Sequence, residues 1–317
     1  MIVQQKLIPF LKQKIKNLLP SFAFILYNFY SISLSYFKMK FSFLHILVSK
    51  ALKNTLLLLK WKKNIIYKNL HFVFPDFSEQ KILNIYRNII INISETATEF
   101  LFGNLSYKNL PTELKLFPFK NNNIKFCIES NSLPIIEKMK KGGIFLTAHF
   151  GNYEAIGPWL IRLGIPLKAS YASIKPKFLD SFVKNKLRAI NGNSYATFIK
   201  NPKQILKILD EQKLFCLVAD QDYRKKNAIS SIFLGKEVCC NPIPNFILKH
   251  RPNTPFYICW ILETKNEKIL HAIEIKNKDI YKSFHNVLES LIYSQISNWF
   301  GWTHRRFLGK ENQYTIY

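Results

Sequence analysis

From residue 130 onward the chain alternates short apolar runs with longer amphipathic stretches, and that alternation limits its fold more than any other feature. Runs rich in β-branched and aromatic residues read as strands at 143–150 (GIFLTAHF), 165–172 (IPLKASYA), 213–220 (KLFCLVAD), 256–263 (FYICWILE) and 269–275 (ILHAIEI). Helical periodicity fills 133–142, 152–164, 175–193, 202–212 and 282–300 between and after them. Strands that alternate with helices predict an α/β domain with a mainly parallel sheet. No internal repeat, Pro- or Gly-rich linker or change of composition divides the chain after residue 70. The expected organisation is one domain over 41–317 behind a distinct segment at 1–40.

That N-terminal segment is unusual. Residues 17–37 carry no charge, and lysines flank them on both sides. As a helix they would extend about 31 Å, enough to cross a bilayer. Pro20, Asn28 and four Ser interrupt them, while their Tyr and Phe suit a membrane interface. The expectation is an anchor, spanning or interfacial, with a buried core helix as the alternative. Residues 41–70 predict a basic helix, fit either to lie on an anionic membrane face or to pack on the domain. Phe74-Pro75-Asp76 breaks it, and Ser78 has the position of an N-cap for a long helix ending near Gly103.

Lys and Arg exceed Asp and Glu by 46 − 20, a net charge of +26. Such a surplus points to an anionic partner: a nucleic acid, an acidic protein or a membrane face. The lysines are spread along the chain, with no module that reads a nucleic acid, so no nucleic-acid partner is expected. Five Cys without a CxxC motif suggest neither a disulfide framework nor a metal site. A GxSxG elbow, a P-loop and a GxGxxG turn are all missing, which weighs against hydrolase and nucleotide-cofactor chemistry. No cofactor is expected.

The chemistry concentrates in TAHFGNYE, residues 147–154. His149 ends a strand, where open α/β sheets place substrate. Gly151 permits a tight turn, and Asn152 is placed to cap the next helix. Glu154 follows one turn later. A strand-end imidazole with a carboxylate folded beside it is a general base with an orienter, so Glu154 is expected to hold His149 while its other nitrogen takes a proton from a hydroxyl. The plainer reading is a structural His beside a surface Glu.

The H-x4-E motif after a short strand resembles the lipid A late acyltransferases, the lauroyl and myristoyl transferases of Gram-negative inner membranes. The resemblance runs in order from about residue 60 to 307. KNLHFVFPDFSEQKILNIYRN is similar to the family's N-terminal block, and Glu95 or Glu99 matches the Glu that follows. LVADQD resembles its strand ending in Asp-Gln, SIFLGKE its Phe-Phe-Gly loop, and ISNWFGWTHRRF its Trp…His-Arg-Arg-Phe tail. Three departures stand out: Leu234 replaces a Phe, Cys239-Cys240 replaces small and Thr-like residues, and Ser297-Asn298 stands where the family has Pro.

The resemblance implies a glycerolipid-acyltransferase-like mixed sheet wrapped by helices, with an N-terminal membrane-anchoring helix. It implies transfer of a fatty acyl chain from acyl carrier protein to a 3-hydroxyacyl hydroxyl of an anionic, Kdo-bearing lipid A precursor. It places the enzyme on the cytoplasmic face of the inner membrane. His149 would be the base and Glu154 its partner, with no acyl-enzyme. Backbone N–H groups around Gly151-Asn152 are the candidate oxyanion donors. Arg188 would clamp a phosphate or sugar acid, unless it is a solvated helix residue. Asp220 and Asp222, flanking Gln221, would position Arg188 or a sugar hydroxyl, unless they serve a polar loop. Phe233-Leu234-Gly235 would shape the acyl channel, or Gly235 would serve a turn. Arg305 and Arg306 would meet phosphate or form a solvated tail. The rivals are an acyltransferase for another glycolipid or phospholipid, an inactive scaffold of the same fold, and a non-catalytic basic protein that binds membrane or nucleic acid.

Overall fold

The computed structural model describes residues 41–103, 119–121, 124–190, 193–264, 266–309 and 313–317. The expected anchor over 1–40 lies outside them. Among the described residues no helix is long and apolar enough to cross a membrane.

The basic stretch forms two helices where one was expected, α1 (Phe41–Leu58) and α2 (Lys63–Val73). Lys60 and Lys62 take positive φ, 49° and 55°, which ends one helix before the next begins. Helix α3 (Glu79–Gly103) starts where Ser78 predicts. The Ser78 hydroxyl accepts the Lys81 N–H at 3.3 Å, a cap worth about 1 kcal/mol.

The chain continues through β1 (Phe119–Asn121), β2 (Ile124–Ile128), α4 (Leu133–Met139) and β3 (Gly143–Thr147). Next come α5 (Ile156–Arg162), β4 (Leu167–Ser170) and α6 (Lys177–Phe182). The helix predicted over 175–193 stops short. After one wide turn at Val183–Leu187 the chain forms the antiparallel pair β5 (Ala189–Ile190) and β6 (Asn193–Ser194). Then follow β7 (Ala196–Thr197), α7 (Lys203–Asp210), β8 (Leu214–Val218), β9 (Ile229–Phe233), β10 (Lys236–Cys240), α8 (Ile243–His250), β11 (Phe256–Glu263), β12 (Glu267–Ile275) and α9 (Ile280–Ser294).

Eight strands form one sheet in the order β1-β2-β12-β11-β3-β8-β4-β7. The pairs β2–β12, β11–β3, β3–β8, β8–β4 and β4–β7 are parallel, and the hairpins β1–β2 and β11–β12 are antiparallel. This is the expected mixed, mostly parallel sheet wrapped by helices. Strand alternation sends successive side chains to opposite faces. Ile144 and Leu146 join the core made with α3, α7, α8 and α9, while Phe145 joins the core made with α4 and α5.

Helix α5 leaves β3 on one face, and α8 follows β8 on the other. The neighbouring carboxyl ends of β3 and β8 therefore feed connections that part from each other, the arrangement that opens a crevice in an α/β sheet. The closing helix ends at Ser294, not near residue 300. Two short 3-10 turns, Ile296–Asn298 and Phe300–Thr303, carry the chain back over this crevice instead.

Candidate active site

The register of β3 on β8 builds the site. Thr147 lies opposite Val218, and the Ala219 N–H continues the ladder to the Thr147 carbonyl at 2.9 Å. Two further residues along each strand bring His149 beside Asp220. The His149 ring Nδ1 lies 2.8 Å from Asp220 Oδ1, and the His149 backbone N–H donates to Asp220 Oδ2 at 3.0 Å. The Trp299 indole N–H donates to the same Oδ2 at 2.8 Å.

Asp220 is fully enclosed, while 19% of the His149 side chain stays exposed. Burial by itself would raise the Asp220 pKa. The imidazole's charge and three N–H donors outweigh it and hold the carboxyl down at about 2. That carboxylate can only accept, so the Nδ1 of a neutral His149 carries the proton and Nε2 keeps its lone pair. For His149, burial alone would lower the pKa, but Asp220 and, more weakly, the charge of Glu154 raise it above the ordinary imidazole value. The result is a strengthened base with a fixed tautomer.

This corrects one expectation. The carboxylate on the imidazole belongs to Asp220, and Glu154 is held elsewhere. Arg188 donates to Glu154 through Nε at 3.2 Å and through a very short Nη2 contact. The guanidinium also sits over the rings of Tyr171 and Phe100, at 5.3 and 5.5 Å from their centroids. Arg188 is therefore no solvated helix residue, and Asp220 and Asp222 do not position it. Glu154 and Arg188 line a partly open cleft whose apolar wall includes Phe145, Ile156, Leu167 and Val218. Tyr153 joins the two halves. It lines this cleft, and its ring meets His149 edge-on at 4.7 Å.

The turn after His149 is braced from outside. Gly151 has a φ of 53°, which a side-chain-bearing residue adopts at a cost. Its N–H donates to the Asn298 carbonyl at 2.9 Å, and the Phe300 N–H donates to the His149 carbonyl at 2.7 Å. Phe150 and Trp299 thus pair like strand residues. The Phe150 N–H is bonded to Ala148 and the Asn152 N–H to Glu263. These N–H groups, expected to receive an oxyanion, are already engaged. Asn152 is buried and makes no side-chain cap; its carbonyl accepts the Ala155 N–H instead.

The other expected residues fall in three places. Gln221 is exposed beside the site. Asp222 faces Arg224 at 3.0 Å and Arg306 at 3.6 Å. Arg306 is wholly buried, bonded to the Cys239 carbonyl and lying over the Phe233 ring, so it is neither a solvated tail nor open to phosphate. Gly235 is a turn residue: Leu234 and Gly235, both at positive φ, make the two-residue link of the β9–β10 hairpin. Glu99 belongs to a buried ion cluster with Lys268, whose Nζ lies 2.5 and 2.6 Å from its two carboxylate oxygens and 2.6 Å from Glu263. Glu95 is coupled to the same charges, and burial raises its pKa.

Tyr153, Trp299 and His304 around His149 escaped the sequence reading of the site. Tyr153 is spaced one helical turn from His149, a signal that was present. Trp299 and His304 lie in the tail block, where nothing in the spacing indicates contact with residue 149. Among the described residues, no group of three or more His, Cys, Asp or Glu could hold a metal ion.

A family model described as bacterial lipid A biosynthesis acyltransferase matches residues 16–309. No curated protein matches the chain.

Proposed function

The chain belongs to the bacterial lipid A biosynthesis acyltransferase family, and from that premise we propose that it moves a fatty acyl chain from acyl carrier protein to a hydroxyl of a Kdo-bearing lipid A precursor. The observation that carries this reading is the Asp220–His149 pair beside a cleft with an apolar wall and one braced arginine. Nε2 of His149 takes the acceptor's O–H proton while Asp220 stabilises the imidazolium that forms. The freed oxygen attacks the thioester carbon, a C–O bond forms, and the carbonyl electrons move to oxygen. Collapse restores the carbonyl, breaks the C–S bond and sends the thiolate away with the proton from His149. No nucleophilic side chain is required, so no acyl-enzyme forms.

Glu154 fixes Arg188 at the cleft, and its negative charge also favours the imidazolium. Arg188 then offers its guanidinium to an anionic group of the acceptor. The charge of +26 suits an acidic carrier protein, an anionic acceptor and an anionic membrane face together. Exposed apolar residues on α1, with Leu58 83% exposed and Ile46 and Leu47 nearly half exposed, lie among lysines, a pattern suited to an interface. We place the enzyme on that basis at the cytoplasmic face of the inner membrane.

Mass spectrometry of lipid A from cells with and without the protein tests the proposal. The expected result is one acyl chain fewer on lipid A when the protein is missing. An unchanged acylation pattern would refute it.

A further inference from the structure

The intermediate proposed above carries a negative oxygen, yet the turn at His149 has no N–H left for it. The four backbone N–H groups from His149 to Asn152 are bonded to Asp220, Ala148, Asn298 and Glu263. The Trp299 indole serves Asp220, and the Tyr153 hydroxyl is bonded to Glu154. The donor has to come from another part of the chain.

His304 is placed for it. Its ring centroid is 6.2 Å from that of His149, and the planes are tilted by 44°. That separation leaves room for a reacting carbon beside the two rings, its attacking oxygen within hydrogen-bond reach, about 2.8 Å, of a nitrogen of His149 and its carbonyl oxygen within the same reach of a nitrogen of His304. The backbone of His304 is pinned on both sides. Its N–H donates to the Gly301 carbonyl at 3.0 Å. Its own carbonyl accepts from buried Asn69 at 2.8 Å and from the Arg306 N–H at 2.9 Å. The residue is exposed, and among the described residues no side chain takes its ring in a hydrogen bond. An imidazole whose backbone is held on both sides, and whose ring no side chain among the described residues binds, thus stands beside the His149 ring.

We propose that His304 is a second catalytic imidazole, donating its N–H to the oxygen that becomes negative when the acceptor attacks the thioester. This rests on the acyl-transfer reading. In that step His149 removes the acceptor's proton, the C–O bond forms, and the displaced carbonyl electron pair settles on the oxygen facing His304. No proton leaves His304, and collapse returns the pair to the carbonyl as the C–S bond breaks. Desolvation and the neighbouring His149 and Lys62 hold the His304 pKa below the ordinary imidazole value. The ring is thus neutral near pH 7, with one N–H to donate.

The experiment measures transfer from dodecanoyl–acyl carrier protein to a detergent-solubilised Kdo-bearing lipid A precursor by wild type, His304→Leu and His304→Gln. Loss of an oxyanion donor typically costs about 10²-fold or more in kcat. His304→Leu is expected to lose kcat on that scale with both KM values within about threefold and Tm unchanged. His304→Gln, which keeps an N–H, is expected to recover about tenfold of the loss. An active wild type with His304→Leu at full kcat overturns the assignment, as does a loss confined to KM. If His304→Leu fails to fold, His304→Gln set against His304→Asn decides, because an amide too short to reach must then turn over more slowly than the longer one; equal rates overturn the proposal. A wild type inactive on these substrates sinks the functional reading itself, a different outcome from an active wild type that does not need His304.

Discussion

Replacing Asp220 by Asn separates the tautomer argument from simple stability. The carboxylate serves three donors: the His149 ring at 2.8 Å, the His149 N–H at 3.0 Å and the Trp299 indole at 2.8 Å. Its pKa falls from 3.8 to about 2, which corresponds to about 2 kcal/mol favouring the ionised form in the fold. The sign follows: that stability is present above pH 4 or so and is lost as pH falls toward 2. Asn has one acceptor oxygen and one NH₂ in the same outline. With the oxygen toward the ring, the NH₂ confronts two buried donors, each left unsatisfied at about 1–3 kcal/mol. With the amide flipped, its oxygen accepts both of those donors and its NH₂ donates to Nδ1. The flipped arrangement satisfies every group, so the fold selects it. It also forces the imidazole proton onto Nε2, where the base needs a lone pair. The expected outcome is a folded Asp220→Asn variant, its Tm within a few degrees of wild type, with kcat reduced roughly 10³- to 10⁴-fold, the scale seen when an orienting carboxylate is lost. Nitrogen NMR of the His149 ring should show the proton moved from Nδ1 to Nε2. A variant that keeps more than about a tenth of wild-type turnover, or a ring that keeps its proton on Nδ1, would refute the reasoning.

His149→Ala should abolish transfer while circular dichroism stays native, and near-normal turnover would remove the base assignment. The wild-type rate should fall as pH drops through the His149 pKa, with the acid limb above the usual imidazole value of 6.5 because Asp220 favours the charged ring; a limb below that value counts against the pairing. Lys268→Met should destabilise the fold by about 3 kcal/mol, at the low end for a broken buried pair because Glu99 and Glu263 are 23% and 26% exposed, and a denaturant midpoint equal to wild type would show that the cluster carries no stability. Transfer should weaken between about 50 and 500 mM salt, a window that spans strong screening, because a charge of +26 would attract the two anionic substrates proposed; salt-independent kcat/KM would deny the electrostatic contribution.

The sequence determined what depends on near neighbours. Strand and helix alternation specified the α/β class, since periodicities of 2 and 3.6 are written residue by residue. The serine before α3 specified its start. His149 was legible because a strand end, a turn glycine and a helix start lie within six residues. Arg306, read as a surface residue in a basic tail, shows the opposite: its burial against Asp222 and Phe233 depends on where three distant segments pack. The partner of His149 is the sharper case. Glu154 lies five positions away and Asp220 seventy-one, and separation along the chain favours the nearer carboxylate. Parallel pairing of β3 with β8 reverses that preference, because strands in register bring residues equally far past their ends side by side. The tail makes the same point, for α9 ends early so that residues 298–300 can bond to the backbone at 149–151. Local chemistry singled out His149 in the sequence. Strand register, which exists once the sheet has formed, chose the carboxylate that holds its ring.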